Sequence, residues 1–469
     1  MVTPGEEQEL IGRKIASVVI IALIVAASCT MVVQTAAANG VITWYFAEGY
    51  TGEGFNTWLS LANPGSADAT ATITYYFSDG SAPVTKVKTV PLFSRATVDV
   101  NADVGPNKEV SIKVESTGTA LIVERPMYFN YMNKWDGGHT TMGAMATDTI
   151  WYFAEGYTGE GFDTWLTVAN PNAGATDVTI TYMFRGGGTP VTKNVTVAAT
   201  SRKTIDVNAD VGSNKEVSIK VESTQGIVAE RPMYFNYHNK WTDGHNTIGA
   251  TDTSTAWYFA EGFTGEGFDT WLTLQNPNGT DATATITYFY RGGGTLQKTM
   301  TVPANSRETV DVNTDAGVNK ELSIKVESSQ PLVAERPMYF KYRNKWDGGH
   351  NTVGAMRADS LWYFAEGSTQ PGFETWLTVQ NPNATEVTIM LFYLFREGKT
   401  ALMKAKTLPA NSRETIYVNE DVGEYSSSPD VAMWVVSTED VVVERPMYFN
   451  YQDKWDGGHN SMGTAAGVN

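Results

Sequence analysis

A carboxylate and a guanidinium return four times in fixed surroundings along this sequence. They are the Glu of Ala-Glu-Gly and the Arg of Glu-Arg-Pro, giving Glu48 and Arg125, Glu155 and Arg231, Glu261 and Arg336, and Glu366 and Arg445. A carboxylate can act as a general acid or base, but that chemistry needs a second group to share the proton. No paired acid and no nucleophile–base set accompanies any copy. The same two residue types also make charge-assisted, bidentate ion pairs. If the first and last strands of a copy lie side by side, Glu48 with Arg125 and its three counterparts would clamp each copy shut. The alternative partners for the arginines are their sequence neighbours Glu124, Glu230, Glu335 and Glu444, or the charges stay solvated.

Two further patterns place oxygen and nitrogen atoms at ligand-like spacing. Asp99, Asn101 and Asp103 stand in "DVNAD", repeated as Asp206, Asn208 and Asp210 and as Asp311, Asn313 and Asp315. Alternate oxygens resemble the start of a calcium loop, although the glycine falls at the seventh place rather than the sixth and Tyr417 replaces the first Asp in the fourth copy. A strand end capped by Asp or Asn is the competing reading. "WDGGH" supplies Trp135, Trp346 and Trp455 with His139, His350 and His459, and the second copy reads "WTDGH" with Trp241 and His245. One His per copy, without Cys, is too few ligands for zinc. Asp-Gly-Gly therefore reads as a tight turn with the Trp packed over the neighbouring copy or the linker. Exposed, the four tryptophans would instead be platforms for sugar rings.

The elements that carry these groups belong to an internal repeat. "WYFAEG" begins at 44, 151, 257 and 362, spacings of 107, 106 and 105 residues. Each copy continues through "TWL…NP", a Thr-rich run such as "ATATITYFYRGGG", "SRETVDVN" and "ERPMYF". Alternation of Ala or Thr with Ile, Tyr and Phe is the period-two mark of half-buried strands, and the Gly, Pro and Asn clusters between them mark turns. About seven short strands per copy predict an all-β protein of four tandem immunoglobulin-like sandwiches. The boundaries are 44–146, 151–252, 257–357 and 362–463, each copy long enough to fold alone. Linkers of about ten residues predict a semi-rigid rod, and with ~3.3 Å per strand residue four copies reach roughly 150 Å.

Residues 1–38 precede the repeats. Gly12-Arg13-Lys14, an apolar run and Ala36-Ala37-Ala38 form a secretory signal cut before Asn39. The run 15–33 is also long enough to remain as a membrane anchor, and Cys29 follows a weak lipidation pattern. All three readings export the rest of the chain. Of 469 residues 42% are hydrophobic, and the net charge is −17. That charge disfavours nucleic acid and anionic membrane surfaces, so the membrane would be met only through 15–33 if uncleaved. Cys29 is the single cysteine, which excludes an internal disulfide.

"WYFAEG", "TWL-x-x-x-NP", "SR-x-T" and "ERPMYF" together resemble a repeat domain of unknown function found in secreted and cell-surface bacterial proteins, over 44–463. The resemblance implies an extracellular immunoglobulin-like β domain, often in tandem, with no established activity. The fourth copy departs from the pattern with "STQPGF" and "EDVGEYSSSPDVAMWVVST". The expectation is a non-enzymatic stalk, adhesin or envelope component, needing no cofactor unless calcium stiffens it. Its partners would be cell-envelope polymers, other surface proteins or itself. The alternative is carbohydrate or cell-wall binding through exposed aromatics.

Overall fold

In the Thr-rich run of the first copy, Ala69, Ala71, Ile73, Tyr75 and Phe77 are buried while the residues between them are not. Period-two patterning of this kind can be satisfied only by a strand with one face on a core. The computed structural model describes residues 41–396, 402–423 and 429–465, and these form an all-β chain with several sheets. The secretory, anchoring and lipidation readings of 1–38 lie outside the described residues.

The first copy contains eight strands: β1 (Ile42–Phe46), β2 (Phe55–Asn63), β3 (Ala69–Phe77), β4 (Val84–Val90), β5 (Ser94–Asp99), β6 (Val110–Thr117), β7 (Ile122–Tyr131) and β8 (Trp135–Met142). One sheet has the order β1-β6-β3-β4 and the other β5-β2-β7-β8. The other copies repeat the plan, except that β6 and β7 run together as single strands, Val217–Tyr237, Leu322–Tyr342 and Val431–Tyr451. Strand β4 is a sheet edge, exposed along most of its length and carrying Lys86 and Lys88. Charge on an exposed edge discourages pairing with another chain.

The eighth strand corrects the reading of Trp-Asp-Gly-Gly-His as a turn. Trp135–Met142 pairs with β7 along its whole length, from Tyr131 opposite Trp135 to Glu124 opposite Met142. The turn lies just before it, at Met132 and Asn133, both with positive φ. The hairpin loop has three residues, Met132, Asn133 and Lys134, and the backbone reverses there through the left-handed conformation of the first two.

The arrangement of the copies also differs from the expected rod. The strands Trp135–Met142, Trp241–Ile248, Trp346–Val353 and Trp455–Met462 pack each against the next, and the last packs against the first. Hydroxyls hand the contact around: Thr141 donates to the Asn246 carbonyl (3.1 Å), Thr247 to Asn351 (3.4 Å), Thr352 to Asn460 (3.4 Å) and Ser461 to Thr140 (3.4 Å). The four copies therefore close into a ring around a pseudo-fourfold axis. One head-to-tail contact, used repeatedly, makes a filament unless its rotation closes, and here it closes after four. The cores follow suit, for Leu361, Tyr363 and Leu394 of the fourth copy join the core of the first.

The "DVNAD" segment after β5 is a single turn of helix, α1 (Val100–Val104). Asp99 caps it by accepting from the Ala102 N–H, as Asp206 does from Ala209 and Asp311 from Thr314, whereas Tyr417 makes no side-chain cap. An N-cap carboxylate satisfies one of the free N–H groups at a helix start. Asp206→Ala should therefore lower stability by about 1 kcal/mol, read as an earlier urea midpoint with the denaturant slope unchanged. An unmoved midpoint would mean that water replaces the cap without cost.

Candidate functional site

The polar groups singled out by the repeat converge on the contacts between copies. Arg125 and Glu124 are adjacent in β7, so their side chains leave the strand on opposite faces, and both are fully buried. Each must therefore find a partner on a different side. Arg125 Nη1 reaches Glu230 of the next copy at 2.9 Å. Arg231 reaches Glu335 at 3.0 Å and Arg336 reaches Glu444 at 3.1 Å. Arg445 returns to Glu124 of the first copy at 3.0 Å. All eight side chains are without exposure.

The carboxylates are fully engaged. Glu230 also accepts the Ala47 N–H at 2.7 Å and an amide N–H of Asn246. Glu335 repeats this with Ala154 and Asn351, and Glu444 with Ala260 and Asn460. The first copy has Thr140 where the others have Asn, and Glu124 instead accepts two backbone N–H groups, from Ala365 (2.9 Å) and Glu366 (2.6 Å).

A second cycle of ion pairs lies further along each contact. Glu48 pairs with Arg202 (2.8 Å), Glu155 with Arg307 (3.2 Å), Glu261 with Arg413 (3.0 Å) and Glu366 with Arg95 (2.9 Å). Pairing of Glu48 with Arg125, and of its three counterparts, within one copy is thus corrected. Of Glu48, Arg125 meets the backbone carbonyl, at 2.6 Å, while the Glu48 carboxylate faces the neighbouring copy. Burial pushes the carboxyls of Glu48, Glu155, Glu261 and Glu366 above their ordinary range, and the facing arginines pull them back. Arg95, Arg202, Arg307 and Arg413 were not singled out from the sequence, although their Ser-Arg-x-Thr context recurs in every copy.

Aromatic rings fill the same contacts. Tyr131 stacks on Tyr234 of the next copy at 3.9 Å, Tyr237 on Tyr339 at 3.9 Å, Tyr342 on Tyr448 at 3.8 Å and Tyr451 on Tyr128 at 3.9 Å. Trp135, Trp241, Trp346 and Trp455 lie over the outer tyrosine of each stack, with ring centres 5.8–6.2 Å away. Trp346 is buried and the others are half-buried. Their rings serve as the ends of the stacks.

The axis itself carries polar groups. His139, His245, His350 and His459 are each 2% exposed. Only His459 has a polar neighbour on its ring, the Thr140 hydroxyl at 3.1 Å; neither nitrogen of the other three meets a hydrogen-bond partner among the described residues. Burial lowers the pKa of all four well below the ordinary histidine value, with a nearby arginine adding to the effect in each case. Asp243 accepts backbone N–H groups from all four copies. Burial raises its pKa, and those four hydrogen bonds oppose the rise.

The structure does not gather the calcium-like residues into one ligand set. Asp99 caps α1, Asn101 bridges the Thr57 N–H (2.9 Å) and the Phe55 carbonyl (2.8 Å), and Asp103 accepts the Tyr75 hydroxyl (2.7 Å). Asp206, Asn208 and Asp210 do the same, as do Asp311, Asn313 and Asp315. Among the described residues no group of three or more His, Cys, Asp or Glu side chains is placed to hold a metal ion, and no helix is long and apolar enough to cross a membrane.

Solvent-open grooves lie on the outer side of the contacts. The groove between the third and fourth copies holds about 780 Å³, against about 370 Å³ between the second and third. Its wall carries the copy-specific Tyr417, stacked on Trp376 with centroids 4.3 Å apart. Arg343 lies 5.9 Å from the Trp376 ring and pairs with Glu374, which also accepts the Tyr342 hydroxyl at 2.5 Å.

Compared with known proteins, the chain matches no family model and no curated protein. Among solved structures it is similar to Thermotoga maritima 1070, at 21% identity over 22% of this chain and 94% of that one, with a TM-score of 0.21. It is also similar to the Anabaena sensory rhodopsin transducer, at 23% identity over 18% of this chain and 87% of that one, with a TM-score of 0.17. A third is a tetra-tandem repeat in the extending region of a large adhesion protein, at 12% identity over 91% and 99% of the two chains, with a TM-score of 0.11.

Proposed function

We propose that this chain is a non-enzymatic extracellular or cell-surface protein, an adhesin or envelope component. In this reading four immunoglobulin-like units, 44–146, 151–252, 257–357 and 362–463, form one rigid ring that displays its grooves and loops to a partner. One observation carries the reading: the recurring charged residues are consumed in two closed cycles of buried ion pairs, so the motif letters repeat because the contact repeats. Catalytic acids must reach a substrate, and Glu124, Glu230, Glu335 and Glu444 are sealed from solvent. Cell-envelope polymers or other surface proteins are the partners this reading calls for.

A second reading, carbohydrate or cell-wall binding, is favoured by the groove between the third and fourth copies. A Trp–Tyr wall beside arginine and carboxylate groups suits a polar sugar with one apolar face. A glycan array probed with the mature chain, with and without calcium, tests both readings. The carbohydrate reading expects binding that Trp376→Ala and Tyr417→Ala each weaken at least tenfold while melting temperature is kept. Absence of any glycan signal, combined with retention on intact cells or envelope fractions, would favour the surface-protein reading alone.

A further inference from the structure

Asp243 is where the repeat breaks its own rule. The other copies read Trp-Asp-Gly-Gly-His, whereas the second reads Trp-Thr-Asp-Gly-His, which puts a side chain where Gly137, Gly348 and Gly457 have none. That side chain is fully buried at the ring axis. Its Oδ1 accepts the N–H groups of Gly138 (2.9 Å) and Gly244 (2.8 Å), and its Oδ2 those of Gly349 (3.1 Å) and Gly458 (3.3 Å). One N–H comes from each copy.

The geometry is that of an anion nest assembled by pseudo-symmetry. Successive backbone N–H groups directed at one point favour negative charge there. Among the described residues both carboxylate oxygens accept from N–H donors, and the acceptor-only, ionised form gains most from them. Buried N–H groups without an acceptor are costly, so the nest needs an occupant. Only one copy can supply it. A Cβ at Gly137 would lie 1.8 Å from Asp243 Oδ1, and Cβ atoms at Gly348 and Gly457 would lie 2.4 and 3.1 Å from Oδ2. Just outside, the Asp136 and Asp347 carboxylates face the Thr242 hydroxyl (3.4 Å) and N–H (3.3 Å), and Asp136 also faces the Asp456 N–H (3.2 Å). Thr242 thus keeps a fourth carboxylate out of that acidic tier.

We propose that the ring axis is a binding site for a small carboxylate and that Asp243 is its tethered occupant, a side chain that ties all four copies together at one point. An Asp side chain beyond its Cα is acetate in chemical terms, so removing it should leave a site for free acetate.

The test uses the full mature chain. Asp243→Gly, which restores the motif of the other copies, is expected to melt on the order of 5 °C lower. Its melting temperature should climb with the logarithm of acetate concentration, as linkage requires. Chloride at equal ionic strength should not reproduce the rise, nor should trimethylacetate, whose bulk exceeds the space. If Asp243→Gly does not fold from dilute buffer, refolding in acetate against chloride gives the same comparison.

A relocation variant, Asp243→Gly with Gly348→Asp, should recover the parental melting temperature and lose the acetate response, because once Asp243 is gone a Cβ at Gly348 meets nothing nearer than 3.1 Å. Gly348→Asp alone, with two carboxylates on the axis, should be destabilised. The proposal is overturned if Asp243→Gly melts like the parent, if chloride rescues as well as acetate, or if the relocated Asp fails to restore stability.

Discussion

Replacing Arg445 with alanine is expected to cost as much stability as replacing Arg231, on the order of 3–5 kcal/mol in each case. The reason is the same at both places. Removing the guanidinium strands a carboxylate, Glu124 or Glu335, that has no exposure and cannot turn to water. The comparison matters because Arg445 belongs to the last copy and Glu124 to the first. In an open string of modules, Arg445 would sit at a free end as a solvated charge, where its loss costs less than ~1 kcal/mol. Equal shifts in the urea midpoint with unchanged slopes would therefore report ring closure in solution. A silent Arg445→Ala beside a damaging Arg231→Ala would show that the ring opens between its first and fourth copies. Replacing Arg445 and Glu124 together with Met and Leu should recover much of the loss, since two apolar residues leave no stranded charge.

How far such contacts can be read from the letters depends on the kind of signal each leaves. The alternation in Ala69–Phe77 is written in residue types, because a one-residue slip would put Ile73 and Tyr75 in water. Strand β8 left no such trace. Gly137 and Gly138 are poor strand formers and read naturally as a turn. They are needed because the chains come so close: a Cβ at Gly138 would lie 2.8 Å from the Tyr128 ring and 2.9 Å from that of Phe449. The pair Glu124–Arg125 held a usable hint. Adjacent strand residues point to opposite faces, so two recurring charges in an otherwise apolar run imply either two wet faces or two covered ones. From Ile122 to Phe129 the burial is unbroken, as it is when both faces of a strand are packed.

What the letters could not supply was the choice of partner. Four near-identical copies offer Arg125 an equivalent Glu at positions about 105 residues apart, and nothing local distinguishes pairing at home from pairing next door. The same degeneracy hid the difference between rod and ring, which is fixed by the angle of one contact. Asp243 shows the converse. Its departure from Trp-Asp-Gly-Gly-His was visible, but it acquires meaning only when three glycines from other copies meet it on an axis.

Acid should unfold the ring through its four buried imidazoles. His139, His245, His350 and His459 have pKa values held well below the ordinary value, chiefly by burial. For a base with a depressed folded-state pKa, stability is present above the unfolded-state value, about 6.5. It is lost as pH falls, because the unfolded chain takes up protons that the folded chain refuses. Each histidine then contributes up to ~1.4 kcal/mol per pH unit, acting together below pH ~6.5. Glu48, Glu155, Glu261, Glu366 and Asp243 act in the opposite direction, since their raised values let the fold bind protons on acidification. The clean readout is therefore a difference. His350→Leu should make the pH dependence of stability shallower by about 1.4 kcal/mol per unit below pH ~6 relative to the parent. In the parent, four of the five histidine ring signals in NMR should stay neutral until the protein unfolds as a unit. Titration near 6.5 of any of the His139, His245, His350 or His459 rings in the folded protein would mean that the axis admits protons and water.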